Sequence, residues 1–155
     1  LPRKTPAVPT DSTAAELPIA SIQVSVHQKV VAGMRDRELS TRWDTGGPQL
    51  PGNEVSVTLE RTAVVSHIEL DLGPSAQDYP RGLRVSLASG AGPLTTVWEG
   101  RTAGLAVHAL IKDPRKAPLL IALPAATQAD RVVMTVTEGH PAFYWSIAEL
   151  RIFGR

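Results

Sequence analysis

Polar and apolar residues alternate with a period of two along most of the chain, which is the pattern of half-buried β-strands. In VSVTL (55–59) the two valines and the leucine share one face, while the serine and the threonine share the other. No segment has a long helical period, although a turn or two of helix is predicted at 30–34 and at 125–130. The alternation predicts further strands at 22–27, 67–72, 83–87, 95–100, 105–111, 119–123, 132–137 and 148–153.

Stretches rich in glycine and proline separate the predicted strands. They lie at 46–48, 73–75, 89–93, 113–118 and 138–141. Such stretches favour turns and loops over regular structure. Short strands joined in this way are typical of an all-β fold, and we predict an antiparallel β-sandwich whose strand order the pattern leaves open.

The composition indicates one globular domain without an electrostatic attraction for nucleic acid. The chain has 155 residues, 43% of them hydrophobic, and a formal net charge of +1. That balance gives no reason to expect binding to nucleic acid or to an anionic membrane. The absence of cysteine excludes disulfides, thiolate zinc sites and a cysteine nucleophile. No apolar run approaches the length of a membrane-spanning helix.

Proline, serine and threonine crowd the N-terminal part of the sequence. We interpret residues 1–18 as a proline-rich linker and residues 19–155 as the folded domain. A linker of this composition predicts that the domain is one part of a longer protein.

The chemically reactive side chains form no recognisable catalytic motif. The four histidines are His27, His67, His108 and His140, and no two of them have the spacing of a zinc-binding pair. There is no nucleophile elbow and no phosphate-binding glycine loop. Carboxylate pairs can assemble in space without a sequence signature, so a hydrolase or lyase stays open as an alternative. A binding role is favoured over catalysis.

Three segments carry a resemblance to a known family. They are AGMRDRELSTRWDTGGPQLPG (32–52), DYPRGLRVSLASGAGPLTTVWEG (78–100) and YWSIAELRIFG (144–154). In this order and spacing they resemble the discoidin family, also called coagulation factor type C domains, whose bacterial relatives include the family 32 carbohydrate-binding modules. The resemblance implies a galactose-binding-like jelly roll. Arg37 departs from the family pattern, which usually has glycine after the aspartate.

The resemblance also implies a structural calcium ion in the early loop. A calcium ion takes about six to eight oxygen ligands. Asp36 would supply a carboxylate, Glu38 a carbonyl or its side chain, and Thr41 a hydroxyl and a carbonyl. Glu149, in the last strand, would supply the final carboxylate. The alternative is that the two acidic loop residues are solvated charges paired with neighbouring arginines, which stabilise little.

A sugar site needs an exposed aromatic ring for the C–H face of the sugar and polar groups for its hydroxyls. Such groups are expected on loops at one end of the sandwich. The candidate ligand-binding residues are Tyr144, His140, Arg81, Asp78 and Tyr79. The alternative is that these residues brace the loops rather than bind glycan.

Four further side chains have simpler interpretations. Trp43 is expected to anchor the early loop in the core and to donate its indole N–H to a nearby group. Trp145 is also expected to pack rather than to bind a ligand. Gln49 and Arg42 are weaker candidates for sugar contacts.

Two functions compete on these grounds. The first is a noncatalytic carbohydrate-binding module, monomeric and extracytoplasmic, appended to a larger bacterial envelope protein and associated with a membrane only through it. The second is a structural or protein-interaction domain at the C-terminal end of a membrane glycosyltransferase, without a glycan ligand of its own. The sequence names neither a sugar nor the parent protein.

Overall fold

The computed structural model describes residues 13–155, which form nine strands, one α-helix and two 3-10 helices. The strands are β1 (Ala15–Glu16), β2 (Ile19–Val24), β3 (Trp43–Asp44), β4 (Glu54–Asp71), β5 (Gly82–Ala88), β6 (Thr95–Arg101), β7 (Pro118–Glu138), β8 (Ser146–Ile147) and β9 (Glu149–Gly154). The α-helix is α1 (Ala103–Lys112), and the 3-10 helices are Gln28–Met34 and Gly73–Ser75.

Two long antiparallel strands, β4 and β7, organise the sandwich. Their pairing shifts register between Thr58 and Ala63 and again between Val65 and His67. Irregularities of this kind bend strands, so both strands pass from one layer into the other. One layer contains β2, the first half of β4, the second half of β7, β5 and β6, and the other contains β1, β9 and the remaining halves. The prediction of an antiparallel β-sandwich is confirmed.

Most predicted strands are present, but some of them merge. Segments 55–59 and 67–72 both belong to β4, and segments 119–123 and 132–137 both belong to β7. The helix predicted at 125–130 is therefore wrong, because these residues continue β7 across the corner of the sandwich. The helical turn predicted at 30–34 is confirmed by the first 3-10 helix.

The strand predicted at 105–111 is wrong, because this segment belongs to α1. Ala106 and Ala109 are buried about one helical turn apart and let the helix lie against β7. Val107 and Ile111 are exposed on the opposite side. The sequence suggests a strand here because apolar residues lie on the exposed face of the helix as well as on its buried face. The helical period of the buried alanines is therefore masked.

The folded domain begins before the predicted boundary at residue 19. Ala15 and Glu16 pair with Gly154 and Phe153 of β9, and Leu17 is buried in the core. The last residues assigned to the linker are thus part of the sandwich, and residues 1–12 lie outside the described residues. Within 13–155 no helix is long and apolar enough to cross a membrane.

Two tryptophans fasten the loops to the core. Trp43 and Trp145 are fully buried and meet edge to face, with ring centroids 5.3 Å apart. The indole N–H of Trp43 donates to the carbonyl of Val26 at 3.1 Å. The predictions for both residues are confirmed.

The long connections meet at one end of the sandwich, which we call the loop end. Because β4 and β7 turn through both layers, each begins and ends there. The loops 25–53, 72–81, 102–117 and 139–148 therefore lie together. Hydrogen bonds join them, as between the Thr102 N–H and the Arg81 carbonyl at 3.2 Å.

Candidate functional site

Residues 35–41, which we call the acidic loop, fold against the start of β9. The Glu149 carboxylate accepts the backbone N–H of Arg37. The Asp36 carboxylate accepts the backbone N–H of Glu38 at 3.0 Å and the hydroxyl of Thr41. The Thr41 hydroxyl also lies 3.1 Å from the Glu38 carbonyl oxygen. The structure thus brings the four predicted metal ligands together.

Arg37 occupies a backbone conformation that favours glycine. Its φ angle is +63°, in the left-handed region that costs a residue with a Cβ about 1–2 kcal/mol. This is the position at which the discoidin family, which the sequence resembles, usually has glycine. This backbone conformation directs the Arg37 N–H to the Glu149 carboxylate. Arginine thus adopts the conformation that glycine would adopt here, at some cost in backbone strain.

Two carboxylates of the acidic loop region interact with each other. Hydrogen bonds from the Thr41 hydroxyl and the Glu38 N–H lower the pKa of Asp36. Burial raises the pKa of Glu149, and the nearby Asp36 charge adds to the rise. A cation between them would relieve this repulsion.

The donor set fits a hard cation such as Ca²⁺. It consists entirely of oxygens: two carboxylates, the Glu38 carbonyl and the Thr41 hydroxyl. Within residues 13–155 there is no group of three or more acidic or histidine side chains that could hold a metal ion. Carbonyl, hydroxyl and water oxygens would therefore have to complete the coordination.

The alternative, in which neighbouring arginines pair with the acidic loop, is not what the described part of the chain contains. No ion pair in residues 13–155 involves Asp36 or Glu38. Arg35 instead donates to the carbonyl of Ile19 at 2.7 Å. The Asp36 and Glu38 charges are thus not balanced by close basic side chains.

A cluster of partly buried charges lies beside the acidic loop. Arg151 bridges Glu69 at 2.8 Å and Asp71 at 2.7 Å, and Lys116 contacts the same Glu69 oxygen at 2.8 Å. Asp71 is only 1% exposed, and burial raises its pKa to about 7. Asp71 is also the cross-strand neighbour of Glu149.

The cleft next to this cluster has a volume of about 590 Å³. Four acidic and four basic residues line it, so its charge favours neither anions nor cations. The charged lining residues are Glu16, Glu60, Asp71, Glu149, Arg35, Arg37, Lys116 and Arg151.

A second cluster at the loop end joins the loops 77–81 and 139–145. The Arg81 guanidinium lies over the Tyr79 ring, 3.7 Å from its centroid, and 4.9 Å from the centroid of Phe143. The Phe143 ring is in turn 4.8 Å from the imidazole of His140. These four side chains, which we call the loop stack, form a continuous row, and Phe143 is 37% exposed.

The polar edges of the loop stack are hydrogen-bond donors. Arg81 donates to the carbonyls of Tyr79 at 3.1 Å and Gln77 at 3.0 Å, and its other N–H groups have no partner in residues 13–155. The Nδ1 atom of His140 accepts the N–H groups of Ala142 and Phe143 at 3.1 and 3.2 Å. Neutral His140 therefore carries its proton on Nε2, as a donor without a partner in the described residues.

Gln49, which is fully buried, holds the two loops of the stack together. Its amide nitrogen donates to the carbonyls of Tyr79 and Tyr144, both at 3.0 Å, and its amide oxygen accepts the Arg81 N–H at 2.9 Å. Its backbone bonds to Phe143 and His140. The prediction of Gln49 as a weak sugar contact is wrong, because no ligand reaches a fully buried amide.

Some of the other predicted ligand residues hold the loops together, and others lie at the surface. Asp78 is 7% exposed and accepts the Ser146 hydroxyl at 2.8 Å, so it braces the loops. Arg42 is held by Asp44 and by the Ser75 hydroxyl at 2.7 Å. Tyr144 is half-buried next to the stack. Of the predicted set, the structure places Tyr79, Arg81 and His140 in one row, around a phenylalanine that the prediction omits.

Solved structures share this fold, although no protein-family model and no curated protein matches the chain. The family 32 carbohydrate-binding module of AlyQ, in complex with 4,5-unsaturated mannuronic acid, matches with a TM-score of 0.68 at 22% identity. That match covers 89% of this chain and 97% of the module. This chain has the fold of a family 32 carbohydrate-binding module. The resemblance inferred from the sequence is confirmed at the level of the fold.

Two further structures extend the comparison. The family 32 module of NanJ from C. perfringens, in complex with galactose, matches with a TM-score of 0.68 at 18% identity, over 90% of this chain and 98% of that one. A truncated AlyQ that also contains an alginate lyase domain matches with a TM-score of 0.69 at 23% identity. The match covers 92% of this chain but only 34% of the truncated AlyQ, so the fold occurs there as one part of a larger protein.

Proposed function

We propose that this domain is a carbohydrate-binding module and that it binds glycan at the loop stack. The observation that carries the proposal is the exposed Phe143 ring, which lies in a row with Arg81 and His140. The C–H face of a sugar packs on such a ring, and its hydroxyls accept hydrogen bonds from the adjacent donors. Modules of this fold solved with galactose and with unsaturated mannuronic acid support the proposal.

The proposed module is noncatalytic. Glycoside cleavage needs two carboxyl groups that flank the scissile bond. Residues 77–81 and 139–145 contain one carboxylate, Asp78, which is buried and accepts the Ser146 hydroxyl. Glu138, which precedes the second loop, pairs with Arg101 at 2.9 Å. The two loops therefore do not present a pair of accessible carboxyl groups, and a shallow binding surface is the better description.

We also propose that the acidic loop binds a structural Ca²⁺ ion. Asp36, Glu149, the Glu38 carbonyl and Thr41 would hold it. The ion would fasten the loop to β9 and take no part in sugar contacts, because none of its ligands belongs to the loop stack. We propose an extracytoplasmic accessory role, as a monomer, within a larger protein. The truncated AlyQ, in which this fold is one part of a longer chain, supports the accessory role.

The test is a glycan-binding assay on the whole domain. A broad glycan panel, followed by calorimetric titration of the hits, should detect binding that Phe143→Ala abolishes. The matched control is Leu94→Ala, which removes a side chain that is 49% exposed in the β5–β6 hairpin, away from the loop end. If no glycan binds, or if both variants bind like wild type, the proposal is wrong. A purely structural domain of a larger enzyme then becomes the better interpretation.

A further inference from the structure

We propose that the loop stack prefers glycans that carry a carboxylate, that is uronic acids, over their neutral counterparts. This inference rests on the proposed function and adds the class of sugar. It follows from the charge and the hydrogen-bonding character of the side chains that the two loops present.

The exposed charge of the stack is positive. Residues 77–81 and 139–145 contain one carboxylate, Asp78, and one guanidinium, Arg81. The carboxylate is buried and turned towards the Ser146 hydroxyl, whereas the guanidinium is half-exposed between two rings. An incoming ligand therefore meets the cation and not the anion.

Ring contacts and hydrogen bonds hold the guanidinium in place. It lies 3.7 Å from the Tyr79 centroid and 4.9 Å from the Phe143 centroid, and two of its N–H groups donate to backbone carbonyls. These contacts restrict its motion, and its remaining N–H groups have no partner in residues 13–155. A rigid planar donor edge of this kind matches the geometry of a carboxylate.

His140 adds a second donor to the same row. Its acceptor nitrogen is occupied by two backbone N–H groups, which leaves the Nε2–H as the free polar atom of the ring. A neutral sugar hydroxyl both donates and accepts, and the one carboxylate of these two loops that could accept its hydrogen bond, Asp78, is buried and already bonded to Ser146. A sugar carboxylate only accepts, so it is satisfied by the donors that are present.

The charged cleft beside the acidic loop does not compete for this role. Its acidic and basic lining residues are equal in number, and its Arg151 and Lys116 are already paired with Glu69. A carboxylate entering that cleft would meet as many anions as cations. At the loop stack, by contrast, the Arg81 cation is accessible and the carboxylate of the same two loops is buried.

The test compares sugars that differ only at C6. Methyl galacturonide, glucuronide and mannuronide are each titrated against the neutral methyl glycoside of the same configuration, with backbone amide NMR shifts of the full chain as the readout. We expect at least one uronide to bind about tenfold tighter than its neutral counterpart, a difference of about 1.4 kcal/mol. The shifts should centre on residues 77–81 and 139–145, and the preference should shrink at about 0.5 M salt.

Variants assign the preference to Arg81. Arg81→Gln should remove it, and Arg81→Lys, which keeps the charge but loses the planar edge, should retain part of it. The matched control is Arg84→Gln, which removes an exposed arginine of β5 paired with Glu99 and should leave the preference intact. Thermal melts of all three confirm that they fold, and the wild-type comparison of sugar pairs needs no variant.

Each other outcome has a definite meaning. Equal or tighter binding of the neutral sugars at the same residues would overturn the acid preference and leave the carbohydrate-binding function intact. Equivalent shifts with acetate alone would also overturn it, because the site would then recognise a small anion and not a sugar acid. Silence with every sugar in the panel would remove both proposals together.

Discussion

The acidic loop and the loop stack lie at the same end of the sandwich but are built in different ways. The acidic loop takes three of its four proposed ligands from residues 36–41, and only Glu149 comes from elsewhere. The loop stack takes its side chains from two loops that are distant in sequence, and Gln49 from a third loop holds them in place. A local motif is enough to encode the first cluster, whereas the second exists only in the folded chain.

The two clusters also differ in charge. Asp36, Glu149 and Asp71 gather near the acidic loop, and burial raises the pKa of the last two. The loop stack presents one accessible cation and the Nε2 edge of the His140 imidazole. The proposed metal site and the proposed glycan site are therefore separate clusters at one end of the domain, and we expect mutations to affect them independently.

The largest effect is expected from Gln49→Leu. Replacement of the amide leaves the carbonyl of Tyr144 and the backbone N–H of Arg81 without partners, and the carbonyl of Tyr79 keeps only the Arg81 guanidinium. An unsatisfied buried group costs about 1–3 kcal/mol, so a loss of roughly 3 kcal/mol in the free energy of unfolding is expected. Urea denaturation measures it, and glycan binding should be lost as the loops separate.

The control for Gln49 is Gln128→Leu, a change of the same kind at an exposed position of β7. It should alter the free energy of unfolding by less than about 0.5 kcal/mol. If the two variants are equally stable, the buried amide does not hold the loops. If Gln49→Leu also abolishes the response to calcium, the two clusters are not independent.

Removal of calcium is expected to have the next largest effect, confined to the acidic loop. At a concentration about 100 times its Kd, a ligand that binds only the folded state adds about 2.7 kcal/mol to the free energy of unfolding. Calcium should therefore raise the Tm, and a chelator should reverse the rise. Asp36→Asn and Glu149→Gln should remove this response, while glycan binding persists.

Glu38→Gln is the informative control for the metal site. If Glu38 contributes its carbonyl, as the geometry at Thr41 favours, the amide variant keeps the calcium response. Asp113→Asn, in the loop after α1, should also keep it. A Tm that is the same with calcium and with chelator would show that the acidic loop is held by its hydrogen bonds alone.

The pattern of the sequence accounts for the layers of the fold better than for its connections. Alternation marks the strands correctly, because each layer has one buried and one exposed face. It misses that residues 59–66 and 123–130 stay extended, since Pro124 and the polar residues there also suit a turn. It fails at α1, where small alanines make the buried face and larger apolar residues point outwards.

The same contrast explains which site residues the sequence reveals. Asp36, Thr41 and Glu149 stand in segments whose spacing is itself a signal. Nothing in PQLPG marks Gln49 as a buried hydrogen-bonding centre, because glutamine beside proline and glycine usually lies in an exposed turn. Phe143 is hidden for a related reason: in a run of three aromatics, the sequence does not tell which ring remains exposed.

The titration of Asp71 is expected to change stability by less per pH unit than either of the two changes above. Its pKa is raised to about 7 in the folded state, chiefly by burial, from an ordinary value of 3.8. Between these values the folded state binds more protons than the unfolded state, so stability falls as pH rises, by up to ~1.4 kcal/mol per pH unit. Asp71→Asn should flatten this fall between about pH 4 and pH 7.

Urea denaturation at intervals across that range measures the slope. The comparison variant is Glu99→Gln, in β6 away from the cleft, whose side chain is 47% exposed and which shows how much an exposed carboxylate contributes to the slope. Wild type and Asp71→Asn should diverge most near pH 7, where the wild-type carboxyl ionises. Parallel curves would mean that Arg151 and Lys116 keep Asp71 ionised throughout the pH range. Their positive charges would then fully offset the effect of burial on the Asp71 carboxyl.

The smallest effect is expected from Arg37→Gly, and its sign is favourable. Glycine adopts a φ of +63° without strain, which recovers about 1–2 kcal/mol, while its greater freedom in the unfolded chain costs about 0.5–1 kcal/mol. The net gain in the free energy of unfolding should be at most about 1.5 kcal/mol. Denaturation in chelator measures it without a contribution from the metal.

Arg37→Ala separates the backbone from the side chain. Alanine removes the guanidinium but keeps the Cβ, so it should not stabilise the fold as glycine does. If both variants stabilise equally, the gain comes from loss of the positive charge and not from the backbone angle. If only glycine stabilises and glycan binding is unchanged, the strain belongs to the acidic loop alone, because the loop stack shares no residue and no hydrogen bond with Arg37.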